Sequence, residues 1–407
     1  MAQPGAGSAA LSVCARIPPA TLPSVPSRSD LRGATLAQPK NAPVSSDTQR
    51  VQRPPAEVFH AEELARLREK DKEPRPPGWQ LSLQAVRRFI LGDEKLKVRR
   101  KFVGNPSLVD RAMVTLATGR GLMLVGDPGT AKSLLSELLA AAVSGVSTLT
   151  IRGGAAVTED QIKYSWNYAL LVAEGPTPRA LVPAPLHTGM KHGQIVRFEE
   201  ITRCPLEVQD SLLSVLSERV LAVPELDGEA GMLWARDGFN VIATANTRDR
   251  GVNEMSSALK RRFNFETVFP IPDFATELAL VREETARLLE RSGVPVAPDE
   301  KVLEMLVITF RELRSGQTAD GQAMERPSTV LSTAEAVSVA HAVGVRGWYL
   351  RGGVGTPADL VECLAGTAVK DNAEDLQRLR RYFEQRVGKQ RGEHWSQLYE
   401  ARHLLPG

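Results

Sequence analysis

One eight-residue stretch constrains this chain more than any other: Gly126, Asp127, Pro128, Gly129, Thr130, Ala131, Lys132 and Ser133. The unbroken apolar run Leu122-Met123-Leu124-Val125 precedes it. Leu135, Leu138, Leu139 and Ala142 follow it at helical spacing. A buried strand, a Gly-rich turn and a helix opening on Lys-Ser is the context in which backbone N–H groups cradle a phosphate. The helix N-terminus adds partial positive charge at the same place. In this reading Lys132 reaches the β- and γ-phosphates and the Ser133 hydroxyl binds Mg²⁺. Ala131 stands where the pattern G-x-x-x-x-G-K-[ST] has its second glycine. Alanine is the smallest residue with a Cβ, so close approach to phosphate is retained. The bland alternative, a strand-to-helix turn with a chance Lys-Ser, fits the surrounding pattern less completely.

Composition narrows what such a loop serves. The chain has 407 residues, room for two or three domains. Its 51 Lys+Arg against 48 Asp+Glu leave a formal charge of +3, no sign of a strongly basic nucleic-acid binder. Aromatic residues make up 5%, too few for base stacking to be the main business. Cys14, Cys204 and Cys363 are far apart, without disulfide or metal-ligand spacing, which suits a reducing cytoplasmic setting. No apolar stretch reaches the ~18 residues of a membrane span.

Taken in order, residues 1–55 are rich in Pro, Ala, Ser and Gln and read as a disordered tail. Residues 56–101 read as a helical lead segment, with helices over Ala56–Arg75 and Leu81–Leu91 and a basic run, Lys95–Lys101, expected to be a solvated face. Residues 102–270 alternate strands with helices, which argues for a parallel sheet covered on both faces. Its strands are expected at 122–125, Val146–Ile151, Gln194–Glu200, Gly238–Asn246 and Phe265–Phe269. Two irregular segments interrupt it, 153–193 and a hairpin at 219–235 turning at Asp227-Gly228. Residues 271–390 are helical by pattern: Phe274–Ser292, Asp299–Arg314, Thr333–Gly344, Pro357–Val369 and Ala373–Val387. This segregation suggests an α/β core with a small all-α lid, and 391–407 read as a C-terminal tail.

Glu199 and Glu200 close the strand Gln194–Glu200. Hydrolysis of a phosphoanhydride needs one carboxylate for the Mg²⁺ shell and one to orient the attacking water. Glu199 takes the first role and Glu200 the second. Glutamate is one methylene longer than the usual aspartate at the first place. Arg197, inside this strand, is either an edge feature or the partner of a nearby acid. Asn246 ends a strand expected beside the phosphate loop, where its amide donates to the γ-phosphate, holds the water, or simply makes a turn. Arg261 and Arg262 offer a guanidinium able to stabilise charge on a neighbour's γ-phosphate.

The ordered set GDPGTAKS, IVRFEE, ATAN and SSALKRRF resembles the AAA+ ATPases, and specifically the MoxR family. The likeness covers roughly Phe102 to Val369 and includes VTEDQI and PLHTGMKHGQIVRFEEITRCPLEVQDSLLSVLSE. It implies a P-loop NTPase core followed by an all-α lid. Lys132 and Ser133 then match Walker A, Glu199 and Glu200 Walker B, Asn246 sensor 1 and Arg262 the arginine finger. Segment 153–193 matches the helix-2 insert and 219–235 the pre-sensor insert. The family's sensor 2 arginine is missing: Ser332-Thr333-Ala334 stands at its place, and Arg326 is a possible substitute.

The resemblance implies ATP and Mg²⁺ as cofactors, a homo-hexamer, and chaperone-like remodelling of a protein client such as one with a von Willebrand A domain. Two rival classes are a nucleic-acid motor or loader and an ATP-binding scaffold with little turnover. The acidic hairpin tip, Glu225–Gly231, argues against DNA contact there. Glu199, Arg197 and the missing arginine favour the scaffold.

Overall fold

The computed structural model describes residues 52–246, 254–370 and 372–406, with Arg53–Gly407 forming one unit. Most of the expected N-terminal tail, residues 1–51, lies outside the described residues. Ahead of the phosphate loop come α1 (Ala56–Phe59), α2 (Ala61–Lys70), α3 (Leu83–Leu91) and α4 (Pro106–Leu116). Then follow β1 (Gly121–Gly126), α5 (Lys132–Ser144) and β2 (Thr150–Arg152). A small antiparallel pair, β3 (Tyr164–Trp166) and β4 (Leu181–Pro183), encloses α6 (Tyr168–Glu174). Next are α7 (Pro185–His192), β5 (Ile195–Glu199), α8 (Leu206–Asp210) and α9 (Leu212–Ser217). A second antiparallel pair, β6 (Val220–Ala222) and β7 (Met232–Trp234), precedes β8 (Asn240–Asn246), α10 (Ser257–Lys260) and β9 (Phe263–Thr267). Helices α11 (Phe274–Arg291), α12 (Glu300–Ser315), α13 (Thr333–Arg351), α14 (Pro357–Ala368), α15 (Ala373–Gln385) and α16 (Glu393–Glu400) complete the described chain.

Among the described residues, five strands form one parallel sheet in the order β2-β5-β8-β1-β9. Leu122, Met123 and Leu124 are fully buried because β1 is flanked on both sides and covered on both faces. Register then aligns the chemistry. Gly126 pairs with Asn246, and Arg152 pairs with Glu199, so the loop, the carboxylates and the asparagine share the carboxyl edge of the sheet. That edge is where open parallel sheets bind ligands.

One sheet face is covered by α5, which packs against α3 and α4 through Leu135, Leu138, Leu139, Val86, Phe89 and Val109. The small run Ala140–Ala142 lets α5 be enclosed almost all round. On the other face Phe198, Val241 and Ala243 meet Leu186, Met190, Leu212 and Val215 of α7 and α9. A separate core joins α11 to α16 around Phe310, Val339, Leu360 and Phe383.

Several elements differ from the sequence reading, each for a local reason. The helix expected over Ala56–Arg75 breaks at His60, whose ring packs edge-on against Phe59 and Phe89, and ends at Lys70. β2 begins at Thr150 rather than Val146. Its forerunner Ser147 is bonded instead by side chains, its N and Oγ to Glu57 and its carbonyl to Arg197. β9 starts at Phe263, where pairing opposite Gly121 begins. α13 runs past Gly344 to Arg351, since Gly344 and Gly347 serve close packing: a Cβ on either would overlap Leu289 or Gly355. The segment read as a C-terminal tail carries α16, and Leu398, Ala401 and Leu405 are buried against the helical core. In the basic run Lys101 is not solvated; it pairs with Glu63 and lies 4.3 Å from the Phe89 ring centroid.

Candidate functional site

The phosphate loop turns out of β1 with Gly129 at φ 74° and Ala131 at φ 66°, ψ 24°, both left-handed. Glycine adopts that geometry freely; an alanine there costs about 1–2 kcal/mol. The expectation that Ala131 replaces glycine through small size alone is therefore incomplete, because its backbone is also held in glycine's conformation. Lys132 opens α5, and its Nζ donates to the Gly126 and Asp127 carbonyls at 3.0 and 2.7 Å. Thr130 Oγ1 donates to the Asp127 carbonyl at 2.9 Å. Pro128 and Gly129 form the turn between them and line the same cavity.

Glu199 receives donors on both oxygens. Ser133 Oγ and Thr244 Oγ1 donate to Oε2 at 2.6 and 2.9 Å. Ser136 Oγ and Arg197 Nη2 donate to Oε1, both at 2.7 Å. Burial would raise the carboxyl pKa, but the Ser133 bond, the Arg197 charge and the Ser136 and Thr244 bonds outweigh it and hold Glu199 below its ordinary value. Arg197 is 8% exposed and further donates to the Ser136 hydroxyl and to the carbonyls of Ser133 and Ser147. Of the two sequence readings, pairing is the one observed: β5 lies between β2 and β8, so Arg197 is no edge residue. Residues two apart on a strand share a face, which is why Arg197 and Glu199 meet.

The next residue, Glu200, is left-handed at φ 56°, ψ 44°, which turns its side chain out of the strand. A non-glycine residue in this region is strain of the kind concentrated at functional sites. Its N–H donates to Thr244 Oγ1 at 2.9 Å, and its carboxylate lies 3.1 Å from Arg203 Nε. Thr244 thus fixes both glutamates from the neighbouring strand, a role no sequence signal separated from an ordinary strand threonine.

A cavity of about 480 Å³ opens between this edge and the helical lid. One end is apolar, with Phe102, Val103, Ile271, Leu280 and Val337; the other is the phosphate loop with Glu200, Thr244 and Asn246. An apolar end and a ring of backbone donors suit a base and its phosphates. Ser133 Oγ and Glu199 Oε2, 2.6 Å apart, form a hard-oxygen pair of the kind Mg²⁺ takes.

Arg262, expected to act on a neighbour's nucleotide, and Arg326, considered as a substitute for the missing lid arginine, both lie away from this cavity. Arg262 immediately precedes β9 and its Nε donates to Ser217 Oγ at 2.5 Å. It sits at the amino edge of the sheet, while the loop leaves the carboxyl edge of six-residue β1, about 20 Å away at strand rise. Arg326 packs beside Gly316 and is not among the cavity residues. The lid instead places Arg314 in the cavity wall, near Ser332, Thr333 and Ala334. In sequence Arg314 was indistinguishable from any cation in the last turn of a helix.

Residues 121–263 match the family model described as AAA domain (dynein-related subfamily), and residues 275–406 match the YehL-like AAA+ ATPase C-terminal domain. The chain is 64% identical over 366 residues to the uncharacterized protein YehL of Escherichia coli (strain K12), covering 89% of this chain and 100% of that protein. It is 26% identical over 232 residues to chaperone MoxR1 of Mycobacterium tuberculosis (strain ATCC 25618 / H37Rv), covering 56% of this chain and 54% of that one. The crystal structure of NtrX from Brucella abortus in complex with ATP aligns with a TM-score of 0.44 at 15% identity, over 76% of this chain and 64% of that one, too loosely to bear on function. No helix among the described residues is long and apolar enough to cross a membrane. With its core matching an AAA domain, its lid matching the YehL-like C-terminal domain, and the whole of YehL aligned at 64% identity, the chain belongs to the YehL-like family of AAA+ ATPases.

Proposed function

We propose that this chain hydrolyses ATP in a Mg²⁺-dependent reaction and couples it to chaperone-like remodelling of a protein client, as a cytoplasmic homo-hexamer. The observation that carries the catalytic part is the convergence on Glu199 and Glu200 at one end of the cavity. Ser133 Oγ and Glu199 Oε2 would hold the Mg²⁺ ion, which when bound would supply positive charge toward the phosphates. The loop N–H groups and Lys132 bind the phosphates, Lys132 exchanging its carbonyl partners for phosphate oxygens. Glu200, turned out of the strand, orients the attacking water and takes its proton, with the Asn246 amide beside it.

The client part is supported by similarity to a protein named chaperone MoxR1 and by the two inserts. Tyr168, Val172 and Trp234 are exposed, and Glu225 accepts from Tyr164 Oη at 2.9 Å and Trp166 Nε1 at 3.4 Å, tying the inserts together. An acidic, tethered hairpin suits a protein surface better than a nucleic acid.

Steady-state hydrolysis with and without Mg²⁺ and nucleic acid tests the reading. Lys132→Ala should abolish nucleotide binding. Glu200→Gln keeps the side chain's shape, and should bind ATP while hydrolysing it at least about 100-fold more slowly. Wild-type turnover by Glu200→Gln would refute its assigned role.

A further inference from the structure

We propose that Arg197 is the positioning residue of the metal site: its guanidinium fixes Glu199 against Ser133 and so lets a glutamate stand where an aspartate is usual. The inference rests on the Mg²⁺ and ATP reading above and deepens it by naming what holds the carboxylate in place.

Arg197 lies in the middle of β5 and is buried, where an unpaired charge is costly. A guanidinium has five N–H donors, and all five are engaged. Nε donates to Ser136 Oγ at 3.0 Å. Nη1 donates to the Ser147 carbonyl at 3.1 Å and to Thr150 Oγ1 at 3.4 Å. Nη2 donates to the Ser133 carbonyl at 3.0 Å and to Glu199 Oε1 at 2.7 Å. No donor is left over for a phosphate, so Arg197 is a strut rather than a nucleotide ligand. One nitrogen, Nη2, holds both residues assigned to the cation. The other end of the strut is footed on Ser147, whose N–H and Oγ donate to Glu57 of α1 at 3.1 and 2.6 Å.

The two oxygens of Glu199 are divided between separate neighbours. The donors to Oε2, Ser133 and Thr244, line the nucleotide cavity, whereas the donors to Oε1, Arg197 and Ser136, do not. Oε2 is therefore the oxygen on the cavity side, and Oε1 is the one held back. Glutamate has one more rotatable bond than aspartate, so an unheld carboxylate loses more freedom on meeting a cation. A second cavity, of about 810 Å³, reaches Ser147, Thr150, Arg197 and Glu199 from another side. By occupying Oε1, Arg197 keeps the carboxylate from turning toward that space. Groups that bond a ligating carboxylate in this way change metal affinity by about 10–100-fold when removed. Taken singly, the longer acid loosens the site and the buried arginine has no evident use; together they are one device.

The experiment titrates Mn²⁺, followed by electron paramagnetic resonance, into full-length protein holding a non-hydrolysable ATP analogue. Melting curves and analogue affinity in EDTA are measured alongside. Arg197→Lys keeps the countercharge of Glu199 but has its donors on one atom, so it cannot span Ser133, Ser136 and Ser147 together. It should stay folded and weaken Mn²⁺ binding about tenfold or more, with metal-free analogue affinity within about threefold of wild type. Combining Arg197→Met with Glu199→Asp should bind Mn²⁺ more tightly than Arg197→Lys, because the shorter acid has less freedom to be held. An arginine that only stabilises the fold gives no such rescue. Wild-type Mn²⁺ affinity in Arg197→Lys would overturn the proposal. So would a double variant that binds Mn²⁺ no more tightly than Arg197→Lys, or an Arg197→Lys that loses Mn²⁺ and metal-free analogue binding together with its melting transition. Wild-type protein that binds the analogue but no Mn²⁺ would overturn the metal assignment beneath it, and wild-type protein that binds neither would overturn the ATP reading.

Discussion

At the scale of single residues, the site depends on pairings that contiguous sequence does not display. Arg197 and Glu199 are both buried and 2.7 Å apart, with each of Glu199's oxygens receiving two donors. Removing one partner of such a pair leaves an uncompensated buried charge, a cost of about 3–5 kcal/mol. Arg197→Met should therefore destabilise the protein by about 3 kcal/mol in urea unfolding. Adding Glu199→Gln should recover a good part, since a neutral amide needs no countercharge. A double variant as unstable as the sum of the two single variants would show that the two do not act as a pair. The loop from Gly126 to Ser133 was legible because its chemistry lies in consecutive backbone N–H groups. Arg197 was read only as far as two alternatives, and Arg314 not at all, because strand neighbours and helix packing decide where those side chains go.

At the scale of elements, periodicity located the helices and strands, while their ends were set by partners from elsewhere in the chain. Gly344 looked like a stop for α13 but is a packing position, and Leu398 and Leu405 turned an apparent tail into part of the lid. The junction of α1 and α2 gives a pH test. His60 is lowered from 6.5 to about 4, by burial first and then by Lys101 and Arg99, against the opposing pull of Glu63. The unfolded chain takes up a proton near 6.5 that the folded protein refuses until about 4. Stability is unaffected by His60 above that window, falls as pH drops through it, and levels off below it. Discounted for solvent screening of a half-buried ring, the contribution is about 1–2 kcal/mol. His60→Phe retains the aromatic contacts with Phe59 and Phe89, and should make urea unfolding at pH 4.5 differ less from that at pH 7. Burial also lowers His187 and His341, so part of the slope remains. An unchanged slope in His60→Phe would remove His60 as its source.

At the scale of the whole molecule, the position of Arg262 separates it from the nucleotide cavity of its own chain. The phosphate loop, Glu199, Glu200 and Asn246 meet at the carboxyl edge of the sheet, and Arg262 stands before β9 at the opposite edge. Strand length alone, about 20 Å for β1, keeps it from its own cavity. Any contact between Arg262 and a γ-phosphate must therefore be made with the nucleotide of a neighbouring subunit. A guanidinium supplied in this way accelerates phosphoryl transfer by about 10³-fold or more. Activity per chain should then rise with protein concentration until assembly is saturated, measured by steady-state hydrolysis alongside light scattering. Arg262→Ala should keep its fold and its nucleotide affinity but lose most hydrolysis. Lys132→Ala should be inactive for the separate reason that it cannot hold the phosphates. Mixing the two inactive variants should restore part of the rate, because some interfaces then pair an intact loop with an intact arginine. Arg261→Ala should be milder, and if it is the more severe variant the assignment is displaced by one residue. Full activity in a monomer at every concentration, or no recovery on mixing under conditions where wild-type subunits exchange, would refute the shared site.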